Sequence, residues 1–395
     1  MSLKVIVHRG LNQIGGNIIE MASDSTRIIF DLGLSLDETE NIELPNIDGV
    51  FNNAKYDAIF ISHYHSDHLG LVYEITNGIP VYIGKKSFDI ITVSNNYLNK
   101  KNIDVKEYLE HNKPIKIGDI KVTPFLCDHS AYDSYMLLAE CNEEKILYTG
   151  DFRSNGRKSY QRFLNELPTN IDTLICEGTT LSRSVNQNRT ESNLENELTS
   201  IIDNNSGPIF VIQSSMNIDR LVTVYRAAKR NNRILLQDLY LAEITSSIKD
   251  SIPNPITFKD VYVFVTSYLN PNSKRYKLFS KYEKKIGKEN ISKQKFVMCI
   301  RSSMGRYLDS LSKKMSFDNG VLVYSLWKGY LEKEEMKEFI DQCSKLGLKI
   351  EHLHTSGHAD ENALKQLISH VNPKDIIPVH TENPGRLIEI GKSKI

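Results

Sequence analysis

Four side chains able to bind a metal, His63, His65, Asp67 and His68, fall within the six residues HYHSDH that follow the apolar run YDAIFIS. Neutral imidazole and carboxylate are the donors that suit zinc and its neighbours. Donors this dense are too many, and too awkwardly placed, for one tetrahedral ion, so two adjacent ions are the natural reading. The first two histidines sit two apart on the extended end of a strand over 56–63, which lets both point the same way. Asp67 and His68 stand where a helix begins and face back toward the same hollow. Two ions need more ligands, so other strand ends must be brought to this one, and open α/β sheets gather ligands at such an edge.

The surrounding sequence supplies the strands. Apolar and β-branched runs bounded by turn residues predict strands over 3–8, 17–23, 27–33, 56–63, 120–126, 135–140, 145–150 and 171–178, with helices over 68–76, 86–97 and about 157–166. Many strands with few, separated helices predict sheets packed face to face with helices outside. From about residue 190 the rhythm changes. Helices over 190–203, 217–230, 271–288 and 331–345 alternate with strands over 207–213, 233–237, 295–300 and 320–325, which predicts a parallel sheet with crossover helices. A strand over 348–354, a helix over 360–370 and a strand over 375–380 follow. The expected division is a first body over 1–180, an inserted domain over 181–345 and a closing part of the first body over 346–395.

Three further donors stand directly after apolar strands. His129 lies in FLCDHSAY, Asp151 in LYTGDFRS, where Gly150 allows a tight turn, and His380 in IIPVHTE. Each alone is as readily a surface residue. Beside HYHSDH they become ligands together.

With Asp31 in IIFDLG, these residues resemble the ordered motifs of the metallo-β-lactamase superfamily. The resemblance implies an αββα sandwich in which His63, His65 and His129 hold one zinc and Asp67, His68 and His380 the other, with Asp151 bridging. Asp31 would brace the histidine loop. Later features narrow the resemblance. Glu177 follows a strand in LICEGTTL, HTSGHAD over 354–360 places His354 and His358 around a small turn, and a long α/β insert lies between. This set resembles the β-CASP nucleases, ribonuclease J-like in kind, and implies an inserted α/β β-CASP domain with a mainly parallel sheet. SMNIDRL over 215–221, which contains Asn217, resembles a segment contributing to the RNA groove of that family. His380 stands where the DNA-processing branch typically carries an apolar residue, and so favours RNA. Two departures stand out: the glutamate motif reads EGTTL where ribonuclease J has a serine after the acid, and the sequence ends soon after His380 where ribonuclease J usually continues into a C-terminal domain.

The implied activity is zinc-dependent hydrolysis of RNA phosphodiester bonds, in RNA processing or decay, by a two-metal hydroxide mechanism that leaves a 5′-phosphate and a 3′-hydroxyl. His358, an imidazole not required as a ligand, is the candidate general acid for the leaving 3′-oxygen. Glu177 would hold its tautomer and favour its protonated form. The expected catalytic residues are His358, Glu177 and Asp67. The expected substrate contacts are His354, Thr355, Ser356, Gly357, His358 and Asn217, the turn offering backbone N–H groups to a phosphate. The expected cofactors are two zinc ions, with manganese as the alternative because it shares these ligands. Single-stranded RNA is the expected partner, DNA the lesser one; no membrane is involved, and a homodimer is allowed.

Charge bears on where RNA would lie. Basic and acidic residues number 49 each, so a polyanion has to be held by a local patch or by metal. The stretch 274–288 holds seven basic residues, two tyrosines and a phenylalanine, and 226–233 holds four more basic residues. Phosphate contact and base stacking suit both stretches. A solvated helix face is the plainer reading of 274–288, under which reversing Lys284 and Lys285 leaves cleavage nearly intact, and a groove between the two domains is the better place for RNA. Cys127, Cys141, Cys176, Cys299 and Cys343 are scattered, which suits reduced core thiols. The opening MSLKVIVHRG reads as a strand rather than an export signal, so a soluble cytoplasmic protein is expected. Three rivals follow: a DNA nuclease of the same architecture, a hydrolase of a small ester, thioester or lactam, and a catalytically dead scaffold. The second would not need Glu177, HTSGH or so large an insert, and the third would be expected to have lost ligands.

Overall fold

The structure, a computed structural model, describes residues 3–36, 42–183, 189–248, 251–267 and 269–392. The chain divides into two units, one made of Met1–Asn95, Lys100–Asn188 and Ser356–Ile395, the other of Asn96–Asn99 and Arg189–Thr355. No helix among the described residues is long and apolar enough to cross a membrane.

Two six-stranded sheets build the first unit. One runs in the order Lys4–Arg9, Ile18–Ala22, Arg27–Leu32, Ala58–Phe60, Val81–Gly84 and Glu107–Leu109, antiparallel across the first three strands and parallel thereafter. The other runs Asp375–Val379, Thr173–Glu177, Glu144–Tyr148, Ser134–Cys141, Ile120–Cys127 and Ile115–Ile117. Glu144–Tyr148, Thr173–Glu177 and Asp375–Val379 are mutually parallel, and Ile120–Cys127 shares their direction because Ser134–Cys141 is antiparallel to both of its neighbours. Four strands of this sheet therefore end on one edge.

Alternation decides which face is covered. Ile19, Met21, Ile28, Phe30 and Phe60 of the first sheet meet Val122, Leu137, Ala139, Tyr148 and Val379 of the second in one buried cluster. Phe30 packs edge-on against Phe60 and stacks on Tyr148, each with centroids 5.9 Å apart. Fully burying one such side chain contributes about 1.5–3 kcal/mol. The other face of the second sheet takes Leu364, Leu367 and Ile368 of helix Glu361–Val371 and Leu387 of helix Pro384–Lys392. Helices thus lie outside facing sheets, the layered arrangement expected from the strand pattern.

The second unit is one sheet of six strands, every pairing parallel, in the order Val261–Phe264, Ile234–Asp238, Phe296–Ile300, Ile209–Ile212, Val321–Tyr324 and Lys349–His352. Thr190 and Asn193 form a capping box on helix Glu191–Asp203, and Asn217 caps helix Ile218–Arg230. Arg220 and Glu191, both buried, join those helices through an ion pair of 3.0 Å.

Four expectations are corrected. The strand over 56–63 stops at Phe60, so His63 and His65 stand on the following loop, and the helix over 68–76 is one turn, Ser66–Leu69, followed by a 3₁₀ segment, Gly70–Glu74. The helix over 271–288 reduces to Lys274–Ser280 and Lys288–Ile291. Between them the chain lies along strand Val261–Phe264, with backbone bonds between Val263 and both Lys284 and Ile286, while the Tyr282 hydroxyl bonds Glu243. The strand expected over 348–354, assigned to the closing part of the first body, is instead the edge of the second unit's parallel sheet.

Candidate metal centre

The loop after strand Ala58–Phe60 is fastened from beneath by Asp31. This residue ends strand Arg27–Leu32 with φ +57°, a left-handed conformation that aspartate tolerates better than most residues. Its carboxylate accepts from Ser62 N, Ser62 Oγ, His68 Nδ1 and the Tyr148 hydroxyl, all at 2.7 Å. The bond from His68 Nδ1 leaves Nε2 to face the site. Gly150 (φ +50°) makes the turn before Asp151, and a Cβ there would stand 2.8 Å from Ser62 Cβ.

Three groups of donors form, each with its ligand atoms within 4.8 Å of one another: His63, His65 and His129; Asp67, His68, Asp151 and His380; and Asp151, Glu177, His358 and His380. In the first, His65 Nδ1 lies 3.1 Å from His63 Nε2 and 3.2 Å from His129 Nε2. His129 donates Nδ1–H to the Gly357 carbonyl. In the second, His68 Nε2 lies 3.2 Å from Asp151 Oδ2, and His380 Nε2 lies 3.1 Å from Asp67 Oδ2. Asp151 Oδ2 is also 3.9 Å from both His63 Nε2 and His129 Nε2, so it stands between the two groups. In the third, His358 Nδ1 is 3.2 Å from Glu177 Oε2 and 3.5 Å from Asp151 Oδ2. Glu177 is itself fixed, accepting from Phe152 N at 2.9 Å and Thr179 Oγ1 at 2.6 Å.

These residues fit divalent cations. Burial and neighbouring histidines push the pKa of His63 and His129 well below the ordinary value, and burial brings His65 to about 4. Three neutral imidazoles thus turn ring nitrogens toward one point, and a single proton satisfies at most one pair. Their spacing is close to the edge of a tetrahedron with bonds of about 2.0–2.1 Å. Burial works against charge on Asp67 and Asp151, yet His68 and His380 hold both carboxyls well below their usual range. Buried carboxylates call for cations. Asp151 Oδ1 and His68 Nε2 are buried with no well-aligned hydrogen bond, although Asp151 Oδ2 lies near the latter. For His358 burial favours the neutral ring, but Glu177 and Asp151 outweigh it and raise the pKa to about 9. With its side chain 23% exposed, His358 is the member of its pair open to solvent, Glu177 being buried.

Of the expected substrate contacts, Ser356, Gly357 and His358 belong to the first unit. Ser356 Oγ accepts from His358 N at 3.0 Å, and Gly357 serves His129. His354, Thr355 and Asn217 belong to the second unit. There Thr355 Oγ1 bonds the Arg189 carbonyl, and Asn217 Oδ1 accepts from Arg220 N at 3.0 Å as a helix cap. Several participants escaped sequence reasoning. Thr179 Oγ1 joins Glu177 to His380 Nδ1, 2.8 Å away, which orients the His380 ring. Ser62 and Tyr148 complete the hold on Asp31, and Asn17 Nδ2 bonds the Tyr148 hydroxyl at 3.0 Å. Ser62, next to His63, and Thr179, within EGTTL, are the ones the sequence signals.

Comparison with known proteins follows from this geometry. Residues 26–202 match the family described as a beta-lactamase superfamily domain, and residues 344–384 match the family described as a Zn-dependent metallo-hydrolase RNA specificity domain. Ribonuclease J 2 of Streptococcus pyogenes is 24% identical over 96% of this chain and 70% of its own length. Ribonuclease J2 of Bacillus subtilis is 24% identical over 96% of this chain and 69% of its own. Probable RNase MJ4 of Methanocaldococcus jannaschii is 24% identical over 96% and 93%. A crystal structure of a protein of unknown function from Enterococcus faecalis superposes with a TM-score of 0.79 at 20% identity, covering 98% of this chain and 96% of that one.

Proposed function

From the premise that the chain is a ribonuclease J-like β-CASP protein of the metallo-β-lactamase superfamily, we propose that it is a metal-dependent ribonuclease hydrolysing phosphodiester bonds of single-stranded RNA. The observation that carries this reading is the position of Asp151 Oδ2, which lies within 3.9 Å of His63 and His129, 3.2 Å of His68 and 3.5 Å of His358. One carboxylate oxygen thus adjoins both donor groups and the free imidazole.

His63, His65 and His129 would hold one divalent cation, Asp67, His68 and His380 the second, with Asp151 shared. Zinc suits the imidazole-rich set, and manganese accepts the same donors. When bound, such a pair supplies a water-derived nucleophile at neutral pH and offsets charge on the phosphate oxygens. The remaining work falls to the chain. His358 Nδ1 faces Glu177 at 3.2 Å without a well-aligned hydrogen bond, which leaves Nε2 to carry the proton given to the departing 3′-oxygen. Glu177, pinned by Phe152 N and Thr179, keeps that ring from turning. The products are a 5′-phosphate and a 3′-hydroxyl. The five cysteines, free and buried, accord with a cytoplasmic protein.

The test compares a 5′-labelled RNA with DNA of identical sequence, using metal-loaded protein and His358→Ala. RNA cut by the wild type and spared by the variant supports the reading. Preferred cutting of DNA moves the protein to the DNA-processing branch. Metal binding without cutting of either favours a small-molecule hydrolase or a scaffold.

A further inference from the structure

The parallel sheet of the second unit ends all six strands on one side, where α/β folds collect ligands. Following the strand order, that edge carries His354 beyond Lys349–His352, Ser325 beyond Val321–Tyr324, Ser215 beyond Ile209–Ile212, Arg301 beyond Phe296–Ile300, and Asp238 closing Ile234–Asp238. At the Asp238 end it runs into a column of stacked side chains. The Arg301 guanidinium lies 5.1 Å from the Tyr240 ring, Tyr240 lies 5.1 Å from Tyr97, and the Arg275 guanidinium lies 4.9 Å over Tyr97. Asp238 pairs with Arg301, and Ser215 Oγ lies 3.5 Å from it.

Arg275 separates this column from ordinary packing. It comes from the basic stretch 274–288, whose other members are mostly occupied at home. Lys281 pairs with Glu243, Lys284 bonds the carbonyls of Pro255 and Ile256, and Lys285 bonds the Ser280 carbonyl beneath the stretch. Lys274 Nζ bonds the Asn96 carbonyl at 2.6 Å, fixing helix Lys274–Ser280 beside Tyr97. Arg275 is exposed, and among the described residues no carboxylate pairs with it. A guanidinium lying on a ring keeps its N–H edge and outer face for a phosphate or a base. Arg301, half-exposed, spends one side of its fork on Asp238 and Ser215 and keeps only the remainder for a backbone phosphate.

We propose that this edge is a second subsite for the single-stranded RNA, with Arg301 taking a phosphate and Arg275, held on Tyr97, stacking on a base. It lies roughly four strand spacings, about 19 Å, across the sheet from the strand that leads into His354 and Thr355. The proposal rests on the ribonuclease reading above.

The experiment measures steady-state cleavage by the metal-loaded, full-length enzyme on two substrates, an RNA of about twenty nucleotides and bis(p-nitrophenyl) phosphate, a diester with no further nucleotide to occupy a second site. Arg275→Gln is expected to raise KM for the RNA about two- to fivefold at unchanged kcat, the range of an exposed cation–π contact, and to leave the small diester unaffected. Arg275→Lys keeps the charge but not the planar fork, and recovers only part of the loss. Lys285→Gln, the same charge change on the same stretch, leaves both substrates unchanged. Equal kinetics for Arg275→Gln and wild type, equal loss on both substrates, or an equal effect of Lys285→Gln would each overturn the subsite while the ribonuclease reading stands. A wild-type enzyme that cleaves the small diester and no RNA would remove both.

Discussion

Asp31→Asn isolates how much the metal site depends on a residue that touches no ion. The change keeps shape, and asparagine tolerates the left-handed φ of +57° that position 31 requires, so the backbone gives no reason for failure. What changes is hydrogen-bond capacity. The aspartate accepts from four donors at 2.7 Å. Asparagine offers one acceptor oxygen and turns an NH₂ toward the remaining donors. The His68 ring is the one that suffers: robbed of an acceptor at Nδ1, it satisfies itself by moving its proton to Nε2, the atom that faces Asp151 at 3.2 Å. A protonated nitrogen binds no metal. Losses of this kind run from about tenfold to a hundredfold in metal affinity, or about 1.4–2.7 kcal/mol. The assay is competition for zinc against a chromophoric chelator, with the thermal midpoint of the metal-free protein measured alongside. The weaker phase should belong mainly to the ion held by His68, because His63, His65 and His129 do not touch Asp31. Zinc affinities within threefold of wild type in both phases would refute the reasoning, whatever the activity does.

Three more outcomes are expected. Glu177→Gln should lower kcat on RNA about a hundredfold with zinc content unchanged, since the amide no longer holds the His358 proton but the ligands are intact; metal analysis and steady-state kinetics together check it. Gly33→Ala should destabilise the fold by about 3 kcal/mol, because a Cβ at that position would stand 1.8 Å from the Asp67 carbonyl oxygen, and thermal unfolding reads this directly. Glu20 bears on acid stability. Burial opposes its charge, but hydrogen bonds from His8, Tyr56 and Arg27 win and lower its pKa below the ordinary 4.5. The unfolded chain therefore binds the proton first, so this stabilisation is present above about pH 4.5 and fades as pH falls through the folded value. Glu20→Gln should flatten that acid limb in a chemical-denaturation series run across pH 3 to 7, leaving its neutral region the less stable one.

The clustered donor residues are easier to read from the sequence than the local geometry around them. The seven side chains expected as ligands lie in close groups because the segments that carry them follow the ends of four apolar strands, and such strands are visible from their composition alone. The strand over 56–63 was overextended because Ile61 and Ser62 look apolar or neutral in sequence, whereas Ser62 is turned out of the ladder by Asp31, a partner 31 residues away. The short strands Val81–Gly84 and Glu107–Leu109 gave no periodicity long enough to recognise and exist because a parallel neighbour pairs with them. The helix over 271–288 had a helical pattern but lost to tertiary contact, with Tyr282 burying its ring and Val263 claiming the backbone. Thr179 stands in EGTTL, but its use is not legible there, for another reason. Its use depends on one hydroxyl reaching Glu177 and His380 at once, and His380 lies 201 residues away.

Backbone strain points to the same place as the ligands. Among the described residues, non-glycine residues with positive φ are mostly asparagines, the residue that tolerates that conformation best. The exceptions are Asp31, Asp133 and His380, and two of these three belong to the donor cluster or its support. Histidine at φ +51° has no local gain to offset the conformation, so the cost of order 1–3 kcal/mol must be met by what surrounds it. Here the surroundings are named: the His380 N–H bonds the Gly10 carbonyl at 2.8 Å, and Nδ1 meets Thr179. Both fix the ring so that Nε2 turns to Asp67. A residue kept only for packing would relax toward a right-handed or extended backbone, or would be replaced by asparagine or glycine. Strain at a histidine that follows a strand end, with its backbone N–H and Nδ1 both bonded, is the mark of a side chain held in place for what its remaining nitrogen does.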